Sequence, residues 1–245
     1  MAAQCSGSRA WGVYLLLFLF VLCRAPNLSA EAIGSPASIL KRGKWAMGLG
    51  GGFLERNLKG DAKARVSQGG HFRGYGLTDW LSVYGKIGAA YLAVDDPSIV
   101  KASEVSTTNN FNFNVFSGVQ LKGKLFEHEK TGWEWDGSLQ YVDMRKRHQG
   151  ENEGRWHQWQ FATSVAKALG RLKPYVGVEY SIVDFTYRVR EHGNLLRQGT
   201  YEEEGRKGVF VGTDYHFGRF EDVVLNVETS YLDGAEVNVA VAYTF

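Results

Sequence analysis

The strictest constraint on the fold of this 245-residue chain is its final stretch, Glu236 to Phe245, where side chains change character at every step up to the last residue. Val237, Val239, Val241, Tyr243 and Phe245 fall on one face of an extended strand, and Glu236, Asn238, Ala240, Ala242 and Thr244 on the other. A period of two belongs to a two-faced sheet and to no helix. The same alternation recurs upstream in segments of roughly ten residues separated by turn residues. Composition agrees, because 30 Gly, only 4 Pro and 13% aromatic residues suit strands joined by tight turns. The fold class is therefore all-β.

At the other end, Arg9 precedes an apolar run from Trp11 to Cys23, and Leu28, Ser29 and Ala30 close the segment with small residues. That layout is a secretory signal peptide over residues 1–30, cleaved after Ala30. The run is too short for a spanning helix, which needs about 20 residues, and Leu22 before Cys23 does not suit lipoprotein processing. Both cysteines, Cys5 and Cys23, leave with it, so the mature chain has no thiol or disulfide chemistry. Arg9 and Arg24 leave too, so 26 of the 28 Lys+Arg face 26 Asp+Glu, a balance that points to no nucleic acid. Residues 31–43, with Pro36 and the pair Lys41 and Arg42, read as a periplasmic leader, and residues 44–245 as one domain. No later stretch is apolar enough for a spanning helix, so a mature form that crosses a membrane does so as a closed barrel.

The alternation predicts ten antiparallel strands: Lys44–Leu54, Ala64–Tyr75, Trp80–Val94, Asn110–Lys122, Trp133–Asp143, Arg155–Lys167, Pro174–Tyr187, Arg206–Phe217, Val223–Tyr231 and the final stretch. Eight strands is the alternative, if two of the weaker segments are something else. In the seventh, Val176, Val178, Tyr180 and Ile182 share a face before Phe185 and Tyr187 take it over, which predicts either a β-bulge near Val183 or a strand that runs on beyond the bilayer edge. Connections alternate in length, short at 76–79, 168–173 and 218–222 and long at 95–109 and 188–205; the turn 123–132 is long for its side. Trp45, Trp80, Trp133, Trp135, Trp156 and Trp159, with Tyr243 and Phe245, lie near strand ends where interface girdles belong.

Two stretches carry a resemblance. The ending Tyr243-Thr244-Phe245 resembles the carboxyl-terminal signal of bacterial outer-membrane β-barrels. The segment from Tyr75 through Gly76, Leu77, Thr78, Asp79 and Trp80 to Tyr91 resembles the periplasmic hairpins of small outer-membrane proteins of the OmpA/OmpX and opacity-protein type. The resemblance implies a monomeric barrel in the outer membrane, handled by the barrel-assembly machinery through Tyr243 and Phe245. It also implies partners among outer-membrane lipid and lipopolysaccharide, and a structural or surface-interaction role.

Projecting polar faces inward assigns the lumen Lys44, Arg65, His71, Arg73, Lys86 and Lys122 on one wall, and Glu134, Asp136, Glu179, Asp214, Glu228 and Glu236, with His216, on the other. A barrel of this size has room inside only for side chains. Opposed charges there are expected to pair and plug it, Glu236 meeting Lys44 across the closing seam. The alternative is a narrow channel with a transverse field. Asp214 and His216 resemble the Asp-x-His pair of the ten-stranded omptin proteases, but no companion Asp-x-Asp is present and His216 falls at the periplasmic end. The chain is read as non-enzymatic and without cofactor, and its six histidines show no metal-site spacing. Arg145, Lys146 and Arg147, just above the bilayer, are candidate contacts for lipid phosphate.

Overall fold

The computed structural model describes residues 39–59, 62–95, 108–145, 152–191, 194–203, 206–217, 220–232 and 234–245. Residues 1–38, which hold the expected signal peptide and most of the expected leader, and the connection 96–107 lie outside the described residues. Eleven strands follow in order: β1 Trp45–Leu58, β2 Ala62–Gly76, β3 Leu81–Asp95, β4 Thr108–His128, β5 Trp133–Arg145, β6 Asn152–Lys167, β7 Leu172–Glu191, β8 Asn194–Glu202, β9 Lys207–Phe217, β10 Phe220–Tyr231 and β11 Ala235–Thr244. Each neighbour in the sequence β1 to β7 pairs antiparallel with the next, β7 then pairs with β9, and β9, β10 and β11 lead back to β1. Since β8 pairs with β7 alone, ten of the eleven strands form a closed ring.

The ring closes at the chain ends. The Trp45 N–H donates to the Phe245 carbonyl at 3.0 Å and the Phe245 N–H to that of Trp45 at 2.9 Å. Trp45 and Phe245 share this inner end with the turns 77–80, 129–132 and 168–171. The long turn expected at 123–132 shrinks to 129–132, because a bulge between Lys124 and Phe126 lets β4 and β5 continue pairing as far as His128 and Trp133. Gly132, at φ 68°, supplies the left-handed conformation that this turn requires.

At the opposite, outer end, β7 and β8 form a hairpin where the alternation predicts a polar connection at 188–205. Of the two expectations for Val183 the bulge is absent, since β6 and β7 pair without a slip from Asn152↔Val189 to Ala166↔Tyr175, and the strand instead runs on to Glu191. Tyr175, Glu179, Val183, Phe185 and Tyr187 all point inward. The inner face changes chemistry there, from polar to aromatic, and keeps its parity. The irregularity lies on the partner side, where β8 and β9 act as one strand interrupted between Glu203 and Arg206. That interruption swings the hairpin across the short β10–β11 connection to β1, where Leu58 bridges Glu203 and the Lys59 N–H donates to the Glu202 carbonyl at 3.0 Å.

Apolar side chains clothe the outside of the ring, among them Leu49, Ile87, Val119, Phe161, Val176, Val211 and Val227. Trp45, Trp80, Trp133, Trp135, Tyr243 and Phe245 stand exposed towards the inner end, and Trp159, Tyr91 and Tyr231 towards the outer. Trp156, assigned to a girdle, is instead buried inside the barrel against Phe185.

Candidate functional site

The lumen is packed in three tiers. At the inner mouth Leu40 of the leader is buried with Phe72, Tyr84, Ala46 and Ala240, and its amide donates to Ser82 Oγ at 2.7 Å. Rings are seated here and higher up by lying over glycines on the adjacent strand. A Cβ on Gly48 would stand 2.2 Å from the Phe72 ring, one on Gly177 2.2 Å from Phe210, and one on Gly74 2.1 Å from Tyr84. At the outer end a cluster of Leu54, Leu58, Val66, Leu92, Phe116, Met144, Trp156, Val183, Phe185 and Tyr187 fills the interior as the core of a soluble domain would.

Between these apolar tiers lies the polar one. Lys86 donates to Gln140, Gln140 to Gln160 at 3.2 Å, and Gln160 to Glu179 at 2.7 Å, a relay that crosses from β3 through β5 and β6 to β7. On the facing wall the Tyr175 hydroxyl donates to Glu228 at 2.9 Å and accepts from Asn226, which also donates to Asp214 at 2.6 Å. Lys173 holds Glu134 at 2.6 Å, with Asp136 two residues along on the same face. At the junction with the outer core, Arg56 is fully buried, 2.6 Å from Glu236 and 3.3 Å from Glu203. Asn238 completes the Glu236 carboxylate at 2.9 Å. Hydrogen bonds and opposite charge are what make such burial tolerable.

Several assigned lumen residues lie elsewhere. Lys86, Lys122, Glu134, Asp136, Glu179, Asp214, Glu228 and Glu236 are on the inner face and buried. Arg65 and Arg73 point outward, Arg65 pairing with Asp95 and Arg73 lying 3.2 Å from His71, also outward. Alanines, Val66 and Phe72 take the inner face of β2 instead. Lys44 is exposed at the inner rim, at the opposite end of the seam from Glu236, which pairs in register with Leu54. Arg56 takes the place expected of Lys44, and continuing the even-numbered inward parity past Leu54 would have found it. His216 sits at the inner end, its amide bonded to the Arg171 carbonyl at 2.9 Å, and Asp214 is committed to Asn226. Arg145 is held by Asp143 at 2.6 Å on the outside, beside Arg155 and His157. Lys146 and Arg147 lie outside the described residues.

A closed antiparallel ring with its buried charges inside, an apolar outside and aromatic rings towards both ends has one solvent that suits it. The molecule is an outer-membrane β-barrel. No protein-family model matches the chain, and no curated protein does. Among solved structures it is similar in fold to the translocator domain of the autotransporter NalP from Neisseria meningitidis, at 9% identity, covering 96% of this chain and 95% of that one, with a TM-score of 0.45. It is also similar to the outer membrane protease OmpT from Escherichia coli, at 10% identity over 82% of this chain and 96% of that one, TM-score 0.43. A third is the attachment invasion locus protein Ail of Yersinia pestis, at 9% identity over 84% of this chain and 100% of that one, TM-score 0.37.

Proposed function

We propose that this barrel is an occluded, non-enzymatic scaffold that serves a structural or surface-interaction role in the outer membrane, acting as a monomer. The supporting observation is the lumen itself, where inward side chains are buried in three successive tiers from Leu40 to Phe185. The charges within it belong to that filling, and the outer body formed by β7 and β8 is the part offered to partners. Lipid and lipopolysaccharide surround the wall, Arg145 and the basic residues following it meeting lipid phosphate. The exposed Tyr243 and Phe245 rings, 5.9 Å apart, present the closing strand to the assembly machinery.

Planar-bilayer recording of the refolded full barrel tests this reading. The expected result is no steady conductance in molar salt. An open pore with conductance proportional to salt overturns occlusion in favour of a narrow channel. Loss of an outer-face hydrolytic activity on replacing His216 would overturn the non-enzymatic reading.

A further inference from the structure

Where β7 parts from β9, the outer wall carries a groove of about 750 Å³. Its sides are Phe161 of β6, Val178 and Tyr180 of β7, Val209 of β9 and Tyr231 of β10, and its floor is strand backbone at Gly208. The register explains the recess. The β7–β9 ladder ends at Tyr180↔Lys207, and above it the chain turns inward, Glu203 reaching Arg56 inside the barrel. Val178↔Val209 is the last outward apolar pair of that ladder.

Two cations stand at the upper lip. Arg206, on the outside, is 3.8 Å from Glu202. Lys207 lines the groove itself, is exposed, and has no acidic partner among the described residues. An apolar trough opening onto the lipid-facing surface, with a free ammonium at the end facing the outer leaflet, matches one kind of occupant. We propose that the groove holds an acyl chain of a phosphorylated glycolipid of the outer leaflet, its phosphate bound by Lys207 with Arg206 beside it. The apolar contacts extract one chain from the bulk lipid, and the charge-assisted hydrogen bonds select the phosphate-bearing headgroup. The assignment rests on the outer end facing the cell exterior and is independent of whether the lumen conducts.

Native mass spectrometry of the full barrel, released from nanodiscs containing diphosphorylated lipid A, its dephosphorylated form or phosphatidylglycerol, tests it. Wild type is expected to retain one diphosphorylated lipid A and little of the other two. Lys207→Glu is expected to reduce retention about tenfold, the worth of one charge-assisted contact. Val209→Trp, which fills the trough from outside, should abolish retention while the heat-modifiable gel shift shows the barrel intact. Equal retention by wild type and either variant overturns the proposal. Equal retention of phosphatidylglycerol overturns the choice of glycolipid, and equal retention of the dephosphorylated form overturns the role of Lys207.

Discussion

Replacing Arg56 with methionine leaves Glu203 and Glu236 buried without the guanidinium that lies between them. Uncompensated buried charge costs about 3–5 kcal/mol, so the urea midpoint in detergent should fall sharply. Adding Glu203→Gln and Glu236→Gln should restore most of it. A second residue-scale effect concerns the glycine seats. At Gly74 the nearest atoms to an added Cβ all belong to the Tyr84 ring. Gly74→Ala should therefore cost about 1–3 kcal/mol by overpacking, and Tyr84→Leu in the same chain should relieve much of it, a coupling that a double-mutant cycle measures directly. Residues of this kind were only half legible. Charge alone directed Arg65 and Arg73 inward, but β2 has a small and apolar inner face, and its charged residues stand outside, with Arg73 paired in register with Met47 near the inner rim.

At the scale of elements, the β7–β8 hairpin is fastened to β1 by the Leu58–Glu203 bridge and by the ion pair of Lys59 with Glu202. A hydrogen bond from Lys59, reinforced by its charge and that of Arg206, holds the Glu202 carboxyl below its ordinary value. A depressed carboxylate contributes to the closed hairpin above its unfolded pKa and loses that contribution as pH falls through the folded one. Amide exchange in β8 should therefore rise as pH falls below the ordinary glutamate range, after correction for the intrinsic rate. Lys59→Ala should erase the pH dependence while leaving the buried Arg56 contacts in place. The hairpin was missed because its central residues are polar. Arg188, Gln198 and Thr200 face water beyond the lipid, so the alternation that betrays a membrane strand is absent, although Phe185, Tyr187 and Tyr201 mark its inner side by stacking 5.2–6.4 Å apart. The inner-end strands were readable for the opposite reason, since Trp133, Trp135, Val176 and Val178 alternate against buried partners under lipid.

For the whole molecule, the tryptophans report depth. Trp156 is enclosed while Trp133, Trp135 and Trp159 are exposed on the outside. With spin-labelled lipids, single-tryptophan variants retaining Trp133 or Trp159 should be quenched most by labels near the headgroups, and one retaining Trp156 should resist labels at every depth. Quenching of Trp156 like the rest would place the ring outside. Closure and parity were legible because the final strand tied both ends to one side, but the interior was legible only where polar residues faced in. The outer core resembles any soluble core in its residues, and position alone sets it apart. β7 has 20 residues, which at about 3.3 Å each and a tilt near 40° rise some 50 Å, against a lipid-facing band of about 25 Å. The excess is not slack loop: it is a stiff pedestal, knit by Trp156, Phe185 and Tyr187 and cross-tied to β1. Whatever meets the top of β7 is therefore met at a set stand-off, on the order of 20 Å above the lipid.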